Sequence, residues 1–405
     1  MKTGQIDYFA SRPGGLKDKT ILQLIPSLSG GGSERIALAL AEALAHAGAR
    51  ALVAAGPGGL VSELQAKGGI WIPFPARTRN PLAMMMNVQK LASLIRREKI
   101  DLVHVHSRAS AWSALAATRL TKKPLVTSYH SSYGGRAPAT TVYNSIMARG
   151  DAVIAHSRYT AALIARSYPW ARPNIHVVGA GVDFRDYSPG IVDPGRVAAL
   201  RQHWGVAAHE HIVLLAARLS GLKGHKILIE AAHLLTRQGL SHTRFILMGD
   251  VPSRSGSLKD LDMLIAKYQL QGIVQRVGPG ADLPAAYLSA AVVVVPSTEP
   301  EAFALTAVEA QALGTPVIVS DQGAVAETVV APPEVPPEAR TGWRVPPNHP
   351  QKLAEAILQA LALGASAKDA IGMRARQHVI KRFSMDQMTG HVLALYAGLL
   401  DKPKT

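Results

Sequence analysis

A chain of 405 residues that is 48% hydrophobic and 18% charged has enough apolar surface to offset the ordering of its backbone, which excludes wholesale disorder and favours two domains over one core. It contains no cysteine, so it can have neither a disulfide framework nor a thiolate nucleophile nor a cysteine-held metal. Its net charge of +16 is uneven: residues 1–188 carry 23 Lys and Arg against 10 Asp and Glu, a net +13, and the remainder only +3. The first half therefore suits an anionic partner such as nucleic acid, an anionic membrane surface or a phosphorylated acceptor, unless the charge serves solubility alone. The first twenty residues are polar and broken by Pro13, Gly14 and Gly15, with no apolar stretch resembling a signal peptide. No later run reaches the roughly 20 apolar residues that span a bilayer, and a cytoplasmic protein is expected.

From Thr20 onward, short β-branched runs alternate with helical patterns, which predicts parallel α/β sheets. Strands are expected at Ile21–Ile25, Ala51–Ala55, Ile70–Phe74, Leu102–Val105, Leu125–Ser128, Ala152–Ala155 and Ile175–Val178. Between them, Glu34–His46 and Asn87–Glu98 have the apolar spacing of amphipathic helices. A stretch holding Pro189, Gly190, Pro194 and Gly195 reads as an interdomain linker. The alternation then restarts, with strands at Ile212–Ala216, Arg244–Met248, Val274–Val277, Val292–Val295 and Pro316–Val319. The Pro-rich piece Ala331–Pro337 reads as an exposed loop, and the chain from about Pro350 as helical throughout. The resulting division is a polar tail (1–19), two Rossmann-like doubly wound domains (20–188 and 189–375) and a helical C-terminal tail (376–405) that can cross back to the first domain. Two such sheets in tandem put ligands at the carboxyl ends of their strands, in the cleft between domains.

Three stretches carry chemistry. Ser29-Gly30-Gly31-Gly32-Ser33-Glu34 joins the first strand to the first helix, where glycines let backbone N–H groups approach an anion at the helix start; a tight turn with no ligand fits equally well. After the first strand of the second half come Arg218, Lys223 and Gly224. Two cations five residues apart around a flexible turn can converge on a diphosphate, or simply be solvated loop charges. The third stretch, Pro296 to Ala310, places Glu301 in the loop after a strand and Glu309, seven residues intervening, in the next helix. There Glu309 can accept from ribose hydroxyls while the helix start offers N–H groups; the alternative is two surface carboxylates. His130 ends a strand beside Gly134 and Gly135, and a structural or a functional histidine fits. His104 and His106 share one strand face and read as cleft-edge or core residues, since no third ligand is placed for a metal.

Together these motifs, in this order, resemble the family-four retaining GT-B glycosyltransferases (glycosyl transferases group 1), from about Ile21 to the end of the chain. Val126-Thr127-Ser128-Tyr129-His130, Val153-Ile154-Ala155-His156-Ser157, Gly181-Val182-Asp183, Gly314-Thr315-Pro316-Val317 and Thr341-Gly342-Trp343 extend the match. The resemblance implies that Arg218 and Lys223 hold the donor diphosphate and Glu309 the ribose. It gives the transferring sugar to Glu301 with the backbone of Ala302, Phe303, Ala304 and Leu305, and to His130 from the first domain. Gly31 and Gly32 approach phosphate or acceptor. Two departures stand out: Ala304 occupies a position where many members have Gly, and Ala180 one where many have Asn.

The family's chemistry implies a nucleotide diphosphate sugar as co-substrate, no other cofactor, no metal, and a product that keeps the donor's anomeric configuration. The departing phosphate takes the acceptor proton, rather than Glu301 acting as a nucleophile. Glu299-Pro300-Glu301-Ala302-Phe303 with Val308-Glu309-Ala310-Gln311-Ala312 also resembles bacterial enzymes of lipopolysaccharide core assembly, which makes an anionic glycolipid or glycan the expected acceptor. Peripheral contact with an anionic membrane is expected through Arg77–Lys99, where Leu82, Met84, Met85, Met86, Val88, Leu91, Leu94 and Ile95 lie near Arg77, Arg79, Lys90, Arg96, Arg97 and Lys99. A core-packing helix with a solvated basic face is the other reading of that segment. Two other functions compete: a sugar-nucleotide epimerase of the same fold, and a basic nucleic-acid-binding protein. No nucleic acid is expected as partner, since neither an aromatic-rich RNA motif nor a helix-turn-helix signal accompanies the charge.

Overall fold

The computed structural model describes residues 15–78, 80–131, 138–250, 257–279 and 282–401; Arg79, Gly134 and Gly135 lie outside them. The chain divides into two compact units. The first holds the residues up to Ala155, Ile164–Val178 and those from Asp386 on; the second holds His156–Leu163 and Gly179–Met385.

The first unit is built on seven parallel strands: β1 (Thr20–Ser27), β2 (Arg50–Gly56), β3 (Ile70–Pro73), β4 (Leu102–Val105), β5 (Leu125–Tyr129), β6 (Ala152–Ala155) and β7 (Ile175–Val177), in the order β3-β2-β1-β4-β5-β6-β7. The second has six: β8 (His211–Ala216), β9 (Thr243–Met248), β10 (Val274–Val277), β11 (Val292–Val295), β12 (Val317–Ser320) and β13 (Trp343–Val345), in the order β10-β9-β8-β11-β12-β13. Each order runs outward one way from its first strand and then reverses. The switch points fall between β1 and β4 and between β8 and β11, where an open α/β sheet binds its ligand. Strands covered on both faces read as continuous apolar runs. In β8, Val213 and Leu215 pack into one core cluster, while Ile212, Leu214 and Ala216 pack into another.

Every strand expected in the sequence is present within a residue or two, and β13 was not foreseen. The first helix starts at Gly32 rather than Glu34. The helix expected from Asn87 starts at Pro81, because the Asn80 side chain accepts from the N–H groups of Leu82 and Ala83 and Pro81 is preset for the first turn. Pro194 likewise opens a helix, Pro194–His203, capped by Asp193, so the expected linker is shorter than its Pro and Gly content implied. The last helix, Met385–Leu400, buries Tyr396 fully, and its hydroxyl lies 2.5 Å from Nδ1 of His104.

In the helix Pro81–Arg97, Leu91, Leu94 and Ile95 are buried, so the core-packing reading holds for that half. Exposed apolar surface is confined to its start, with Leu82 72% and Met85 66% exposed and Met86 beside them. Among the described residues no helix is long and apolar enough to cross a membrane.

Candidate active site

The carboxyl end of β8 leads into a tight turn, Gly221–Lys223, and then into the helix His225–Arg237. Gly224 sits between them at φ +73°, and a Cβ there would lie 1.8 Å from the Pro296 carbonyl oxygen. Only glycine satisfies both the left-handed backbone and that approach, which explains why Lys223 is followed by Gly. Thr298 closes the turn from the β11 side, its N–H donating to the Leu222 carbonyl at 3.0 Å.

Across the switch point, Glu301 receives the Lys223 ammonium on Oε1 at 2.5 Å and the Ser297 hydroxyl on the same oxygen at 2.5 Å. Its backbone is pinned by a bridge to Gly323, and its carbonyl accepts from the Ala324 N–H at 2.9 Å. Gly323 is at φ +73°, and a Cβ there would come within 2.4 Å of the Glu301 carbonyl oxygen. Lys223, Ser297, Glu301 and the start of the helix Leu305–Ala312 line a cavity of about 100 Å³. No side chain caps that helix; in its first turn the Leu305 and Ala307 N–H groups donate to the carbonyls of Phe303 and Ala304 at 3.0 and 3.1 Å. Glu309, one turn in, accepts from the Tyr287 hydroxyl at 2.8 Å. Burial, reinforced by the Glu309 carboxylate, holds the Tyr287 phenol protonated far above its usual range. Arg218 is exposed and in no ion pair among the described residues. The second unit thus gathers Lys223, Glu301, Phe303, Ala304 and Leu305 around one cavity, while Ala302 lies outside its lining and Arg218 and Glu309 sit on the elements that flank it.

In the first unit, Gly31 precedes the helix Gly32–His46 and Gly30 turns the chain at φ +113°. A Cβ on Gly31 would lie 2.5 Å from a Glu34 carboxylate oxygen. His130 follows β5, its Nε2 3.0 Å from Nδ1 of His106. His106 is 3% exposed and its Nε2 lies 3.2 Å from Oε1 of Gln23 on β1. His104 is 1% exposed and is held by Ser128 at 2.7 Å and by Tyr396. Both are core residues.

These features agree with the comparisons to known proteins. A model of Glycosyltransferase Family 4 matches residues 30–186, and one of Glycosyl transferases group 1 matches residues 197–378. A D-inositol 3-phosphate glycosyltransferase of Saccharomonospora viridis is 30% identical over 315 residues, covering 73% of this chain and 69% of that protein. The chain belongs to the group 1 glycosyltransferases. Among solved structures, a glycosyltransferase from Rickettsia africae superposes with a TM-score of 0.84 at 29% identity, covering 95% of this chain and all of the other. Anabaena Alr3699/HepE in complex with UDP and glucose gives 0.82 at 24%, covering 94% and 100%. WaaG, a glycosyltransferase involved in lipopolysaccharide biosynthesis, gives 0.72 at 15%, covering 93% and 99%. At those last two identities the likeness is one of fold, and all three neighbours accord with a GT-B architecture. The expected resemblance to enzymes of lipopolysaccharide core assembly is not what the relatives show: they are named D-inositol 3-phosphate glycosyltransferases, and WaaG shares only the fold.

Both departures from the family pattern in this glycosyltransferase have simple structural outcomes. Ala304 lies at φ −85°, a conformation open to any residue, so the helix start does not need glycine. Ala180 is buried. Next to it a Cβ on Gly181 would meet the Met385 Cα at 2.6 Å. Val182 there exchanges hydrogen bonds with Phe383 and Met385 at 2.8 and 3.0 Å, which gives the Gly-Val-Asp segment a packing reason.

Sequence reasoning missed four residues around this site. Ser297 and Tyr287 hold the two glutamates. Ser157 and Thr160 donate to the Ala302 carbonyl at 2.8 and 3.3 Å, fixing the loop that precedes the helix Leu305–Ala312. Ser297 and Ser157 stood in motifs singled out in the sequence, but nothing in their spacing revealed these partners, and that of Ser157 lies 145 positions away.

His225, two residues after Lys223, is a fifth. It is 2% exposed, and burial pushes its pKa down to about 4, the carbonyls of Ser220 and Ala217 opposing this and Lys223 adding to it. A histidine depressed in the folded state binds its proton more readily when unfolded. Its contribution to stability is therefore complete above about pH 6.5 and is lost as pH falls toward 4. From pH 7 to pH 5 the wild type loses about 2 kcal/mol through this group, and His225→Gln removes that part of the loss. Urea unfolding at both pH values measures it; equal losses in the two proteins overturn the assignment.

Proposed function

We propose that this glycosyltransferase moves a hexose from a nucleoside diphosphate sugar to a hydroxyl of a phosphorylated acceptor, with retention of anomeric configuration. The observation that carries the reading is the Lys223–Glu301–Ser297 cluster at the switch point of the second sheet, beside an uncapped helix start. Breaking the bond between the sugar's anomeric carbon and the diphosphate builds negative charge on the leaving oxygen, and Lys223, Arg218 and the helix N–H groups stabilise it. Glu301 orients hydroxyls of the transferring sugar and Glu309 the ribose, while His130 hydrogen-bonds a substrate hydroxyl. The bond to phosphate breaks, the acceptor oxygen bonds to the anomeric carbon on the same face, and the acceptor proton passes to the departing phosphate oxygen. Gly31 and Gly32 keep the backbone open to an anionic group.

For the acceptor, two facts converge on phosphate carried by a small polyol: the relative's name and the net +13 of residues 1–188. A phosphorylated cyclitol or sugar replaces the glycolipid expected from the sequence. The assay incubates UDP-glucose, UDP-galactose, UDP-N-acetylglucosamine and GDP-mannose with inositol 3-phosphate, hexose phosphates and their unphosphorylated forms. Transfer to a phosphorylated acceptor only, unchanged by EDTA and giving the donor's anomeric configuration by NMR, is the expected result. Free sugar released at the same rate without acceptor favours the epimerase. Transfer that needs anionic vesicles at low salt restores a membrane-borne acceptor, met through Leu82, Met85 and Met86. A salt-sensitive oligonucleotide shift with no transfer supports nucleic-acid binding.

A further inference from the structure

At the amino ends of β5, β6 and β7 the first unit has an open hollow of about 270 Å³, lined by Arg119, Arg149, Asp151, Trp170 and Asn174. Arg119 stands in the last turn of the helix Arg108–Thr121, Asp151 precedes β6, and Trp170 and Asn174 belong to the turn Pro169–Asn174 that leads into β7. Each segment feeds a strand at its start, whereas Gly31 and His130 follow strand ends, so the length of a strand, roughly 15 Å, separates the hollow from them. Nη1 and Nη2 of Arg119 donate to Oδ1 of Asp151 at 3.0 and 2.9 Å, and the Leu125 N–H donates to its Oδ2 at 2.8 Å. That carboxylate is spent on Arg119. Arg149 has no ion-pair partner among the described residues; its Nε lies 3.3 Å from the Ser145 hydroxyl, and its guanidinium stands 5.2 Å from the centre of the Trp170 ring. The hollow therefore keeps one uncompensated positive charge and a planar fork of N–H donors, which suits a phosphoryl or carboxylate group. Trp170 is 52% exposed, and Pro169 and Pro173 fix φ on either side of it while Ala171 is buried, so a rigid turn presents the ring. With Nδ2 of Asn174 turned to the Gly150 carbonyl at 3.5 Å, its Oδ1 is left as an acceptor.

We propose that this hollow is a second, non-catalytic saccharide site that takes an anionic sugar, the pyranose ring lying against Trp170, a hydroxyl donating to Asn174 and a phosphate or carboxylate held by Arg149. The apolar C–H face of a pyranose covers aromatic surface that water now meets, and the few polar groups around it fix its orientation. The site also gives a use to the net +13 of residues 1–188, since Gly31, Gly32 and His130 bring no fixed charge to the other side of the sheet; a basic surface raises the local concentration of an anionic ligand. An open hollow with so few contacts binds in the millimolar range. A neutral sugar forfeits the charge-assisted bonds to Arg149 and binds about tenfold more weakly or worse, and inorganic phosphate forfeits Trp170. The proposal uses only the first unit's geometry and stands apart from the acceptor reading given under Proposed function.

The chain has five tryptophans, so fluorotryptophan labelling gives a fluorine NMR signal for each, and Trp170→Phe identifies the one in the hollow. The full-length protein is titrated at constant ionic strength with glucose 6-phosphate, glucuronate, glucose, inorganic phosphate and UDP. The Trp170 signal is expected to move saturably with an anionic sugar, and to need about tenfold more glucose or inorganic phosphate, or not to respond to them. Whether glucose 6-phosphate or glucuronate binds more tightly tells phosphate from carboxylate, and either result supports the site. Arg149→Met weakens the anionic sugars by about tenfold or more, while Arg149→Lys, which keeps the charge without the fork, weakens them less. Lys223→Ala and saturating UDP leave the Trp170 titration as it is, which separates this site from the donor site. No saturable movement of Trp170 up to tens of millimolar of either anionic sugar overturns the proposal. So does an unaltered titration in folded Arg149→Met, equal affinity for inorganic phosphate and the anionic sugars, or a Trp170 response to UDP at lower concentration than to either sugar.

Discussion

Lys223→Ala is expected to lower turnover by about a hundredfold or more, the scale of losing one preorganised charge from a leaving group, and Arg218→Ala to do the same. The two variants differ in what they disturb. Arg218 is exposed and in no ion pair among the described residues, so its loss removes only a cation meant for the donor. Lys223 sits on Glu301 at 2.5 Å, so its removal leaves that carboxylate with the Ser297 hydroxyl and changes the group that orients the sugar. The Lys223–Glu301 pair is partly exposed, with side chains 34% and 16% accessible, and such pairs contribute little to folding. Both single variants should therefore unfold within a few degrees of wild type. A double-mutant cycle of Lys223→Ala and Glu301→Gln should show kcat losses well short of multiplicative, because the two residues act as one unit. Near-normal kcat in folded Lys223→Ala and Arg218→Ala would remove the proposed diphosphate site.

Glu309→Ala is expected to cost both nucleotide affinity and stability. The carboxylate can accept two ribose hydroxyls, and charge-assisted bonds of that kind amount to about 1.5–3 kcal/mol each, which is a tenfold or greater rise in Kd for nucleoside diphosphate. The stability cost arises from the fully buried Tyr287, whose hydroxyl would lose the acceptor it has at 2.8 Å; a buried hydroxyl left unmet costs about 1–3 kcal/mol. Glu309→Gln separates the two effects. Its amide oxygen still accepts from Tyr287, so thermal unfolding stays near wild type, while the weaker neutral acceptor still loses affinity. Tyr287→Phe makes the converse change, keeping affinity within a few-fold. Equal nucleoside diphosphate binding by wild type and both Glu309 variants in calorimetry overturns the ribose assignment.

The sequence by itself determined the class of fold and where its chemistry lies along the chain. Runs such as Val292–Val295 are apolar at every position because a central parallel strand is covered on both faces, and that pattern is local. The same holds for Gly30–Gly32, Lys223–Gly224 and the Glu301–Glu309 spacing, since each sits at a strand-to-helix turn that neighbouring residues specify. Trp343–Val345 escaped notice because a three-residue edge strand has no period to read, and it exists only through its pairing with β12. Tertiary structure alone decided the partners. Ser297 on Glu301, Tyr287 on Glu309, Ser157 on Ala302 and Gln23 on His106 join residues from different segments, through contacts whose energy depends on distance and burial rather than on spacing in the chain. It also decided the electrostatics. His225 looks like a polar residue opening a helix, and only the enclosure of its ring withdraws the water that would otherwise keep its pKa ordinary.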